Sequence, residues 1–417
     1  MSKNPRDNRP YLPPVRKIEL SEGNTRQRWI LIAVLLAVAA VTFGYGLFTM
    51  LNTQPGWQEV SAISDQPNYS SEFRLMYDFS SYGGSASSEN KRLTELYSRS
   101  CEEAFRLFSP DAEAEGNLNQ LNRQMNQPVT VRSSLYRALE LLVRYDNRCI
   151  FLAPVYTEYN RMFLCEDDGE AAVYDPQQDP ETAAFVEQVM TYVSDPEHIC
   201  LVLHGNDQVT LAVSDAYRSF AEEYGIESFL DLGWMKNAFV ADYLAEMLEQ
   251  EGFLHGYLAS YDGFTRNLDD QGQSFALQIF DRQENTLYAP AELTYTGRQS
   301  IVFLRDYPMV ALDRWRYYVY EDGQIRSVLL DPETGKQSAS VSTLISLSEE
   351  LSCSQLLLEM IPAFLDGENS EAVRNLTGEG FRSLWCKEGV VYYNDPAAEP
   401  KLMDSGIAAG YSVCFAG

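Results

Sequence analysis

An uncharged run of 23 residues near the N-terminus constrains this chain more than any other feature. Residues 29–51 read WILIAVLLAVAAVTFGYGLFTML and contain no Asp, Glu, Lys or Arg. A helix of this length spans the hydrocarbon layer of a membrane with some tilt. Only a helix can cross alone, because it satisfies its backbone groups internally. Residues 29–51 are therefore predicted to form a transmembrane helix, with Trp29 at the interface.

The charge beside this run predicts its orientation. Residues 1–28 contain seven Lys or Arg and three acidic residues, and basic flanks stay in the cytoplasm. A cleaved signal peptide is the alternative, but the apolar run is too long and no A-x-A site follows it. We expect a single-pass protein of the cell membrane. Its parts would be a disordered cytoplasmic tail over residues 1–28, a linker over residues 52–71 and an extracytoplasmic domain over residues 72–417.

The part beyond the apolar run is strongly acidic. The chain has 32 basic and 60 acidic residues, and those outside residues 1–28 number 25 and 57, a net charge of −32. Such a surface repels nucleic acid and anionic lipid headgroups. Nucleic acid is therefore excluded as a partner, whereas a protein partner in the envelope stays open. Hydrophobic residues make up 45% of the chain, which is enough to bury a core.

Seven cysteines lie outside the apolar run, and an odd number excludes complete intramolecular pairing. Their wide, irregular spacing includes no C-x-x-C and is typical of buried small hydrophobes, not of a zinc site. One or two disulfides stay open if the compartment is oxidising. The cysteines are Cys101, Cys149, Cys165, Cys200, Cys353, Cys386 and Cys414.

Helices and strands are mixed without strict alternation, which favours an α+β fold. Helical spacing of apolar residues predicts six helices, and Ser133 is a candidate cap for the second. These helices cover residues 92–108, 134–145, 181–193, 214–223, 234–251 and 352–364. A hairpin is predicted from residues 199–203 and 208–213, joined by His204-Gly205-Asn206-Asp207. Residues 274–330 are rich in strands, with turns at residues 281–285 and 321–323.

Common catalytic and metal-binding signatures are absent from the sequence. It contains no G-x-S-x-G, no G-x-x-x-x-G-K-[ST] and no H-E-x-x-H. The three histidines, His198, His204 and His255, have no ligand-like spacing. Composition and spacing therefore nominate neither a catalytic residue nor a metal ligand.

Two segments have the pattern of ligand-binding turns. Residues 230–242 read LDLGWMKNAFVAD, which predicts a strand that turns at Gly233 into a helix whose free N–H groups can hold a phosphate. Residues 327–335 read SVLLDPETG, which predicts a strand that ends in a turn. Pro332 restricts its own φ there, and Gly335 can adopt a positive φ. The side chains of Asp331 and Thr334 could contact a ligand there. An ordinary turn is the alternative for this second segment.

The order of these blocks resembles the ApbE family, the FAD:protein FMN transferases. The family pattern runs D-L-G-A-I-A-K-G-Y-A-V-D, G-G-D, T-S-G, H-I-I-D-P-x-T-G and D-A-L-x-T, and the resemblance covers residues 72–417. Matches to the first and fourth blocks are Asp231, Leu232, Gly233, Asp242, Asp331, Pro332, Thr334 and Gly335. The resemblance implies an ApbE-like domain with FAD and magnesium as cofactors. It also implies cofactor contacts at Asp231, Gly233, Asp331, Thr334 and Gly335.

The chain departs from the family pattern where the pattern needs a cation or a small residue. The family lysine falls on Asn237, although Lys236 is adjacent. The G-G-D block falls near Tyr261-Asp262-Gly263, and a tyrosine crowds a backbone that two glycines leave open to the cofactor. The T-S-G block falls near Leu312-Asp313-Arg314.

The candidate base and the metal ligands also differ. The family histidine falls on Val328, so that base is lost. The D-A-L-x-T block falls near residues 352–356, and no Asp lies between Leu351 and Glu359. Magnesium needs hard oxygen ligands. The neighbouring Glu349 and Glu350 are in the wrong register.

These departures favour an ApbE-like surface protein without catalysis, which binds a partner, binds flavin weakly or only retains the scaffold. One alternative is an active magnesium-dependent FAD:protein FMN transferase with a metal site rebuilt from Glu349, Glu350 or Asp313. Another is an envelope interaction protein unrelated to flavin. The family's target peptides read roughly S/T-G-A-S/T, and no such segment occurs in this chain, so it is not expected to accept FMN itself.

We predict that FAD binds weakly or not at all to the outer domain. Tyr261 and Arg314 add bulk near positions where the pattern has glycine, and a preformed pocket absorbs such bulk only with strain. The net charge of −32 also repels the pyrophosphate, in part screened by salt. Titration of flavin fluorescence measures the affinity. A micromolar affinity contradicts the prediction, and glycines restored at Tyr261 and Arg314 should then change it little.

Overall fold

The structure, a computed structural model, describes residues 56–81, 85–367, 369–376 and 380–416. Among these residues, no helix has the length and apolar character that a membrane crossing requires. The predicted cytoplasmic tail over residues 1–28 and the predicted transmembrane helix over residues 29–51 lie outside the described residues.

The ordered domain begins earlier than the sequence predicts. Residues Trp57–Val60, inside the predicted linker over residues 52–71, form a strand that pairs antiparallel with Phe73–Asp78. Val60 is buried in the core. The prediction of a linker is therefore wrong from residue 57 onward, as is a domain start at residue 72. Small polar residues and prolines suggested a linker, but cross-strand pairing, which local composition does not encode, makes this segment a strand.

Seventeen strands form among the described residues. In chain order they are β1 (Trp57–Val60), β2 (Phe73–Asp78), β3 (Val129–Thr130), β4 (Ile199–Gly205), β5 (Gln208–Val213), β6 (Gly256–Ser260), β7 (Phe264–Asn267), β8 (Ser274–Gln283), β9 (Thr286–Thr296), β10 (Gln299–Arg305), β11 (Tyr317–Val319), β12 (Ile325–Ser327), β13 (Thr343–Ser348), β14 (Phe381–Lys387), β15 (Val390–Tyr393), β16 (Lys401–Leu402) and β17 (Ser412–Phe415).

Eleven α-helices accompany these strands in the same part of the chain. In chain order they are α1 (Ala86–Phe108), α2 (Leu118–Arg123), α3 (Ser133–Arg144), α4 (Ala153–Phe163), α5 (Asp168–Val173), α6 (Pro180–Val193), α7 (Asp215–Tyr224), α8 (Lys236–Gln250), α9 (Cys353–Phe364), α10 (Ser370–Arg374) and α11 (Asp404–Ala408).

A nine-stranded sheet organises the domain, in the order β1-β2-β6-β7-β10-β13-β14-β15-β17. Its neighbours pair antiparallel except β15 and β17, which are parallel. Three smaller sheets have the orders β16-β9-β8, β3-β5-β4 and β11-β12. Strands and helices that segregate in this way confirm the α+β class.

The central strands of the large sheet are buried on both faces, since successive side chains of a strand point to opposite faces and both sets are buried here. Val302 and Leu304 of β10 belong to the main core, where α1, α8 and α9 also pack. Ile301 of the same strand and Ile345 of β13 belong to a second core, together with Leu293 of β9. Helices therefore cover one face of the sheet, and the small sheet of β8 and β9 covers the other.

The predicted helices are confirmed in place, with small shifts at their ends. Ser214 and Ser352 cap α7 and α9, since each side-chain oxygen accepts a backbone N–H of the first turn. The predicted cap at Ser133 is wrong, because Ser133 is the first residue of α3. Its hydroxyl instead donates to Asp207 Oδ2, 2.6 Å away, in the confirmed hairpin turn between β4 and β5. All seven cysteines are free thiols, and Cys101, Cys149, Cys353 and Cys386 are buried.

A buried asparagine in α2 fixes the segment that leads into α8. Asn122 Oδ1 accepts the backbone N–H groups of Phe229 and Leu230 at 3.0 and 2.9 Å. Its Nδ2 donates to the carbonyl oxygen of Leu230 at 2.8 Å. The segment has no strand partner among the described residues, so these three bonds set its path together with the Asp231 N–H, which donates to the carbonyl of Ile150 at 2.9 Å.

We predict that Asn122→Ala lowers the free energy of unfolding by about 2–4 kcal/mol, because it leaves the buried N–H groups of Phe229 and Leu230 without their acceptor and removes one of the two bonds to the Leu230 carbonyl. Asn119→Ala in the same helix is the matched control. Asn119 makes a single side-chain bond, to the carbonyl of Ala112, so its loss should cost about 0.5–1.5 kcal/mol. Denaturant unfolding measures both variants, and equal losses would contradict the role assigned to Asn122.

Candidate functional site

One cleft of about 570 Å³ brings together several of the blocks selected from the sequence. Residues 231–237 contribute the floor where α8 begins, and residues 261–262 line it after β6. Residues 312–313 and Val328 come from the β10–β12 region. The remaining walls are mainly aromatic or charged and include Tyr69, Glu72, Phe105, Asp111, Tyr156, Trp315 and Arg316.

The charged groups of this cleft are paired with one another. Lys236 Nζ donates to both carboxylate oxygens of Glu72, at 2.7 and 2.9 Å. The same ammonium lies 4.1 Å from the centre of the Tyr69 ring. Arg316 Nη1 lies 3.4 Å from Asp262 Oδ2. Both cations that line the cleft are thus engaged by carboxylates of the protein.

Asn237 joins the two ion pairs. Its Nδ2 donates to Glu72 Oε2 at 2.8 Å and to Asp262 Oδ2 at 2.9 Å. This geometry fixes the orientation of the amide, since a flipped amide would place its oxygen against two carboxylates. Asn237 Oδ1 is buried and has no partner among the described residues. A lysine at this position, as in the family pattern, would add a positive charge where this chain has a neutral bridge.

Asp231 belongs to the same region but is held by the turn that it opens. The backbone N–H of Gly233 donates to Asp231 Oδ1 at 3.0 Å. Burial raises the pKa of Asp231, whereas the Gly233 N–H and the charge of Lys236 act in the opposite direction. The first free N–H group that the sequence suggested for a phosphate is therefore already occupied. No strand precedes the turn among residues 226–232, in contrast to the prediction.

Gly233 is required by close packing. Its φ is +53°, and a Cβ atom there would lie 2.4 Å from the ring of Tyr156 in α4. The hydroxyl of Tyr156 donates to the carbonyl of Cys149 at 3.0 Å, which fixes the ring. The glycine of the D-L-G block thus lets α4 pack against the start of α8.

Residues 331–335 lie apart from the cleft. Asp331, Thr334 and Gly335 do not line it, and Asp331 instead borders a separate cavity with Pro332 and Glu333. Asp331 accepts the Thr334 hydroxyl at 2.8 Å, so the turn satisfies its own polar groups. A Cβ on Gly335 would come within 2.9 Å of Val186 and Met190. The structure therefore separates the two groups of predicted cofactor contacts, and Asp231 and Gly233 alone line the cleft.

Tyr261 and Arg314, expected to crowd the flavin, occupy different places. Tyr261 lines the cleft with 44% of its surface exposed. Arg314 does not line it and stacks on Trp315, with 4.5 Å between the guanidinium carbon and the ring centre. The expectation that Arg314 crowds the flavin pocket is therefore wrong for this cleft, since its side chain lines a neighbouring groove.

The carboxylates that the family pattern nominates are not grouped around a common metal position. No group of three or more His, Cys, Asp or Glu among the described residues is arranged to hold a metal ion. Asp313 is buried, pairs with Arg305 at 2.8 Å and accepts the backbone N–H groups of Met309 and Val310. Glu349 accepts from the side-chain amide of Gln299 at 3.0 Å. Asp313 and Glu349 are therefore committed to protein partners.

Asp242, which matches the last position of the first family block, also has protein partners. Its two carboxylate oxygens accept the backbone N–H groups of Cys353 and Ser354, each at 2.8 Å. Oδ2 also accepts the Ser354 hydroxyl at 2.6 Å, and Arg266 Nη1 lies 3.4 Å from Oδ1. A carboxylate in this place caps α9 and complements the positive end of the helix.

Two residues of the cleft were missed in the sequence. Glu72 lies 164 residues before Lys236, and no motif marks it. Arg316 follows the T-S-G-like block by two positions and was not singled out. Each becomes visible only when distant strands meet, because ion pairing across a cleft has no signature in local spacing.

We predict that Gly233→Ala lowers the free energy of unfolding by about 2–4 kcal/mol, from the clash with Tyr156 and the positive φ. Gly252→Ala is the matched control, since its φ is +81° but no atom lies within 4 Å of an added Cβ. That change should cost about 1 kcal/mol. Adding Tyr156→Leu to Gly233→Ala should restore part of the loss. Thermal and denaturant unfolding measure these variants, and equal costs at the two glycines would contradict the packing role.

Comparison with known proteins supports the resemblance seen in the sequence. No profile of a known protein family matches the chain. A curated FAD:protein FMN transferase of Klebsiella pneumoniae (strain 342) is 27% identical over 128 residues. The match spans 30% of this chain and 33% of that protein, so the chain corresponds to about a third of the length of that relative.

Solved structures of ApbE proteins share the fold over most of the chain. The ApbE protein of Thermotoga maritima has a TM-score of 0.54 at 12% identity, covering 84% of this chain and 98% of that chain. The flavin transferase ApbE of Vibrio cholerae has a TM-score of 0.51 at 15% identity, covering 85% and 99%. The apo flavinyl transferase ApbE of Pseudomonas stutzeri has a TM-score of 0.51 at 11% identity, covering 84% and 95%. The resemblance to the ApbE family is confirmed at the level of the fold, which this chain shares with the ApbE flavin transferases.

Proposed function

We propose that this chain is a membrane-anchored, extracytoplasmic ApbE-like protein that does not transfer FMN and binds flavin weakly at most. The observation that carries the proposal is the pairing of Glu72 with Lys236 and of Asp262 with Arg316 inside the cleft. A dinucleotide would need these cations for its pyrophosphate, but the protein's own carboxylates already hold them.

The residues at the expected magnesium position support the same proposal. The resemblance implies magnesium near the start of α9, and this region has Ser352 and Leu356 where the D-A-L-x-T block has its Asp and its Thr. The nearest carboxylate, that of Asp242, is used by the N-terminus of α9 and by Arg266. No magnesium-dependent step is therefore assigned to this chain. The alternative of an active transferase would require Glu349 or Asp313 to leave its protein partners, or the exposed Glu350 to take the place of a metal ligand.

The anchor and the location belong to the proposal. Residues 29–51 supply the apolar span, and the basic residues before it orient the span with the N-terminus in the cytoplasm. The domain would then face the envelope, where a protein partner can reach it. Its strongly negative charge keeps it soluble beside the membrane and away from anionic headgroups.

The catalytic test uses the full-length chain with FAD and magnesium. We expect no AMP release and no transfer of FMN to a peptide that carries an S/T-G-A-S/T acceptor. The Vibrio cholerae flavin transferase ApbE, assayed in parallel, shows that the conditions support the reaction. Magnesium-dependent AMP release by this chain, abolished by Glu349→Gln or Glu350→Gln, would replace the proposal with the active alternative.

A second experiment measures FAD binding and tests whether the ion pairs in the cleft oppose the ligand. Glu72→Gln should free Lys236 and raise the affinity for FAD about three- to tenfold, equivalent to about 0.7–1.4 kcal/mol. Glu333→Gln removes one negative charge at the separate cavity and is the matched control, with no change expected. Fluorescence titration measures both variants. An equal gain in FAD affinity from the two variants would show that the overall negative charge, and not the ion pairing in the cleft, opposes FAD binding.

A further inference from the structure

A second groove of about 530 Å³ lies beside the cleft and shares Trp315 with it. Leu164, at the end of α4, and Val310 and Val319, on either side of Trp315 in the chain, line the groove together. Leu164 is 62% exposed, and the other three side chains are each about half exposed. Isolated exposed apolar residues are normal on a protein surface, but four of them on one groove indicate an interaction site.

An acidic rim borders this apolar floor. Glu166 lines the groove, Asp167 follows it directly in the chain, and Glu170 lies four residues after Glu166, in α5. Their charge reaches the groove: burial raises the pKa of the Cys165 thiol there, and Glu170 and Asp167 raise it further. Arg314 is the basic residue that lines the groove, and its guanidinium carbon lies over the Trp315 ring, 4.5 Å from the ring centre. The free edge of the groove is therefore apolar at its centre and negative at the α5 side.

We propose that this groove docks an apolar segment of a partner protein that is flanked by Lys or Arg residues. The apolar residues of the segment would cover Leu164, Val310, Trp315 and Val319, and its basic flank would lie against Glu166, Asp167 and Glu170. The inference does not depend on whether flavin occupies the neighbouring cleft. It specifies by chemistry the kind of partner that the domain can recognise.

Charge complementarity favours this occupant over two others. A second copy of the chain would bring another surface of net charge −32 against an acidic rim, which costs electrostatic free energy. An anionic lipid surface would be repelled for the same reason. A basic flank instead gains attraction at the rim and speeds association at low salt.

The test measures fluorescence anisotropy of labelled peptides added to the full-length chain. One peptide has an apolar centre with Lys flanks, the second has the same centre with Glu flanks, and the third has a Ser centre with Lys flanks. We expect measurable affinity only for the first peptide. Leu164→Glu should weaken it at least tenfold. Ile407→Glu is the matched control, because Ile407 is 61% exposed and lies outside the groove, and it should change the affinity less than twofold.

A second measurement locates the peptide. Bound peptide should slow alkylation of Cys165 in the groove severalfold, whereas the exposed Cys414 should react at an unchanged rate. Glu166→Gln combined with Glu170→Gln should lower the affinity about threefold and reduce its salt dependence. The proposal is overturned if no peptide binds at millimolar concentration or if the Glu-flanked peptide binds as tightly as the Lys-flanked one. It is also overturned if Leu164→Glu and Ile407→Glu weaken the binding equally. Self-association of the chain that Leu164→Glu abolishes would assign the groove to a second copy instead.

Discussion

The carboxylate of Asp242 joins three elements on which the domain depends. It belongs to α8, it caps α9 through the N–H groups of Cys353 and Ser354, and it pairs with Arg266 of β7. Arg266 in turn donates to Ser300 of β10, whose hydroxyl donates to the carbonyl of Leu351 just before α9. One ionised group thus aligns two helices with the central strands. An aspartate that matches a family motif has here a role in architecture, because its oxygens are already occupied.

The charged groups of the cleft are likewise occupied by partners within the protein. Cations placed near a ligand site attract an anion only if they are not neutralised by nearer carboxylates. Glu72 and Asp262 lie within hydrogen-bonding or ion-pairing distance of Lys236 and Arg316, and Asn237 links the two pairs. The cleft keeps the shape of a binding site while its charges are satisfied internally. A retained fold and an altered site are therefore compatible, because the fold depends on the sheets and their cores, which the cleft residues leave intact.

Much of the fold could be predicted from the sequence, and the reasons differ between elements. Long amphipathic segments such as α8 and α9 were found because their periodicity is local. β1 was missed because its partner lies in β2 and its composition resembles a linker. Of the predicted cofactor contacts, Asp231 and Gly233 line the cleft and the turn at residues 331–335 lies apart from it, since motif order does not encode distance. Glu72 and Arg316 have no local signal, and only the folded chain brings them to the cleft.

The position of the outermost strands has a mechanical consequence. β1 and β17 form opposite edges of the nine-stranded sheet, so eight interstrand spacings of roughly 4.8 Å separate them before twist is considered. A force applied between these two strands acts perpendicular to the strands, so the interstrand hydrogen bonds break one after another. A force parallel to the strands would load all of these bonds at the same time. A domain tethered before β1 and pulled beyond β17 would unzip from its edges at low force. Tension on such a tether would therefore release the edge strands before it disturbs the buried helices.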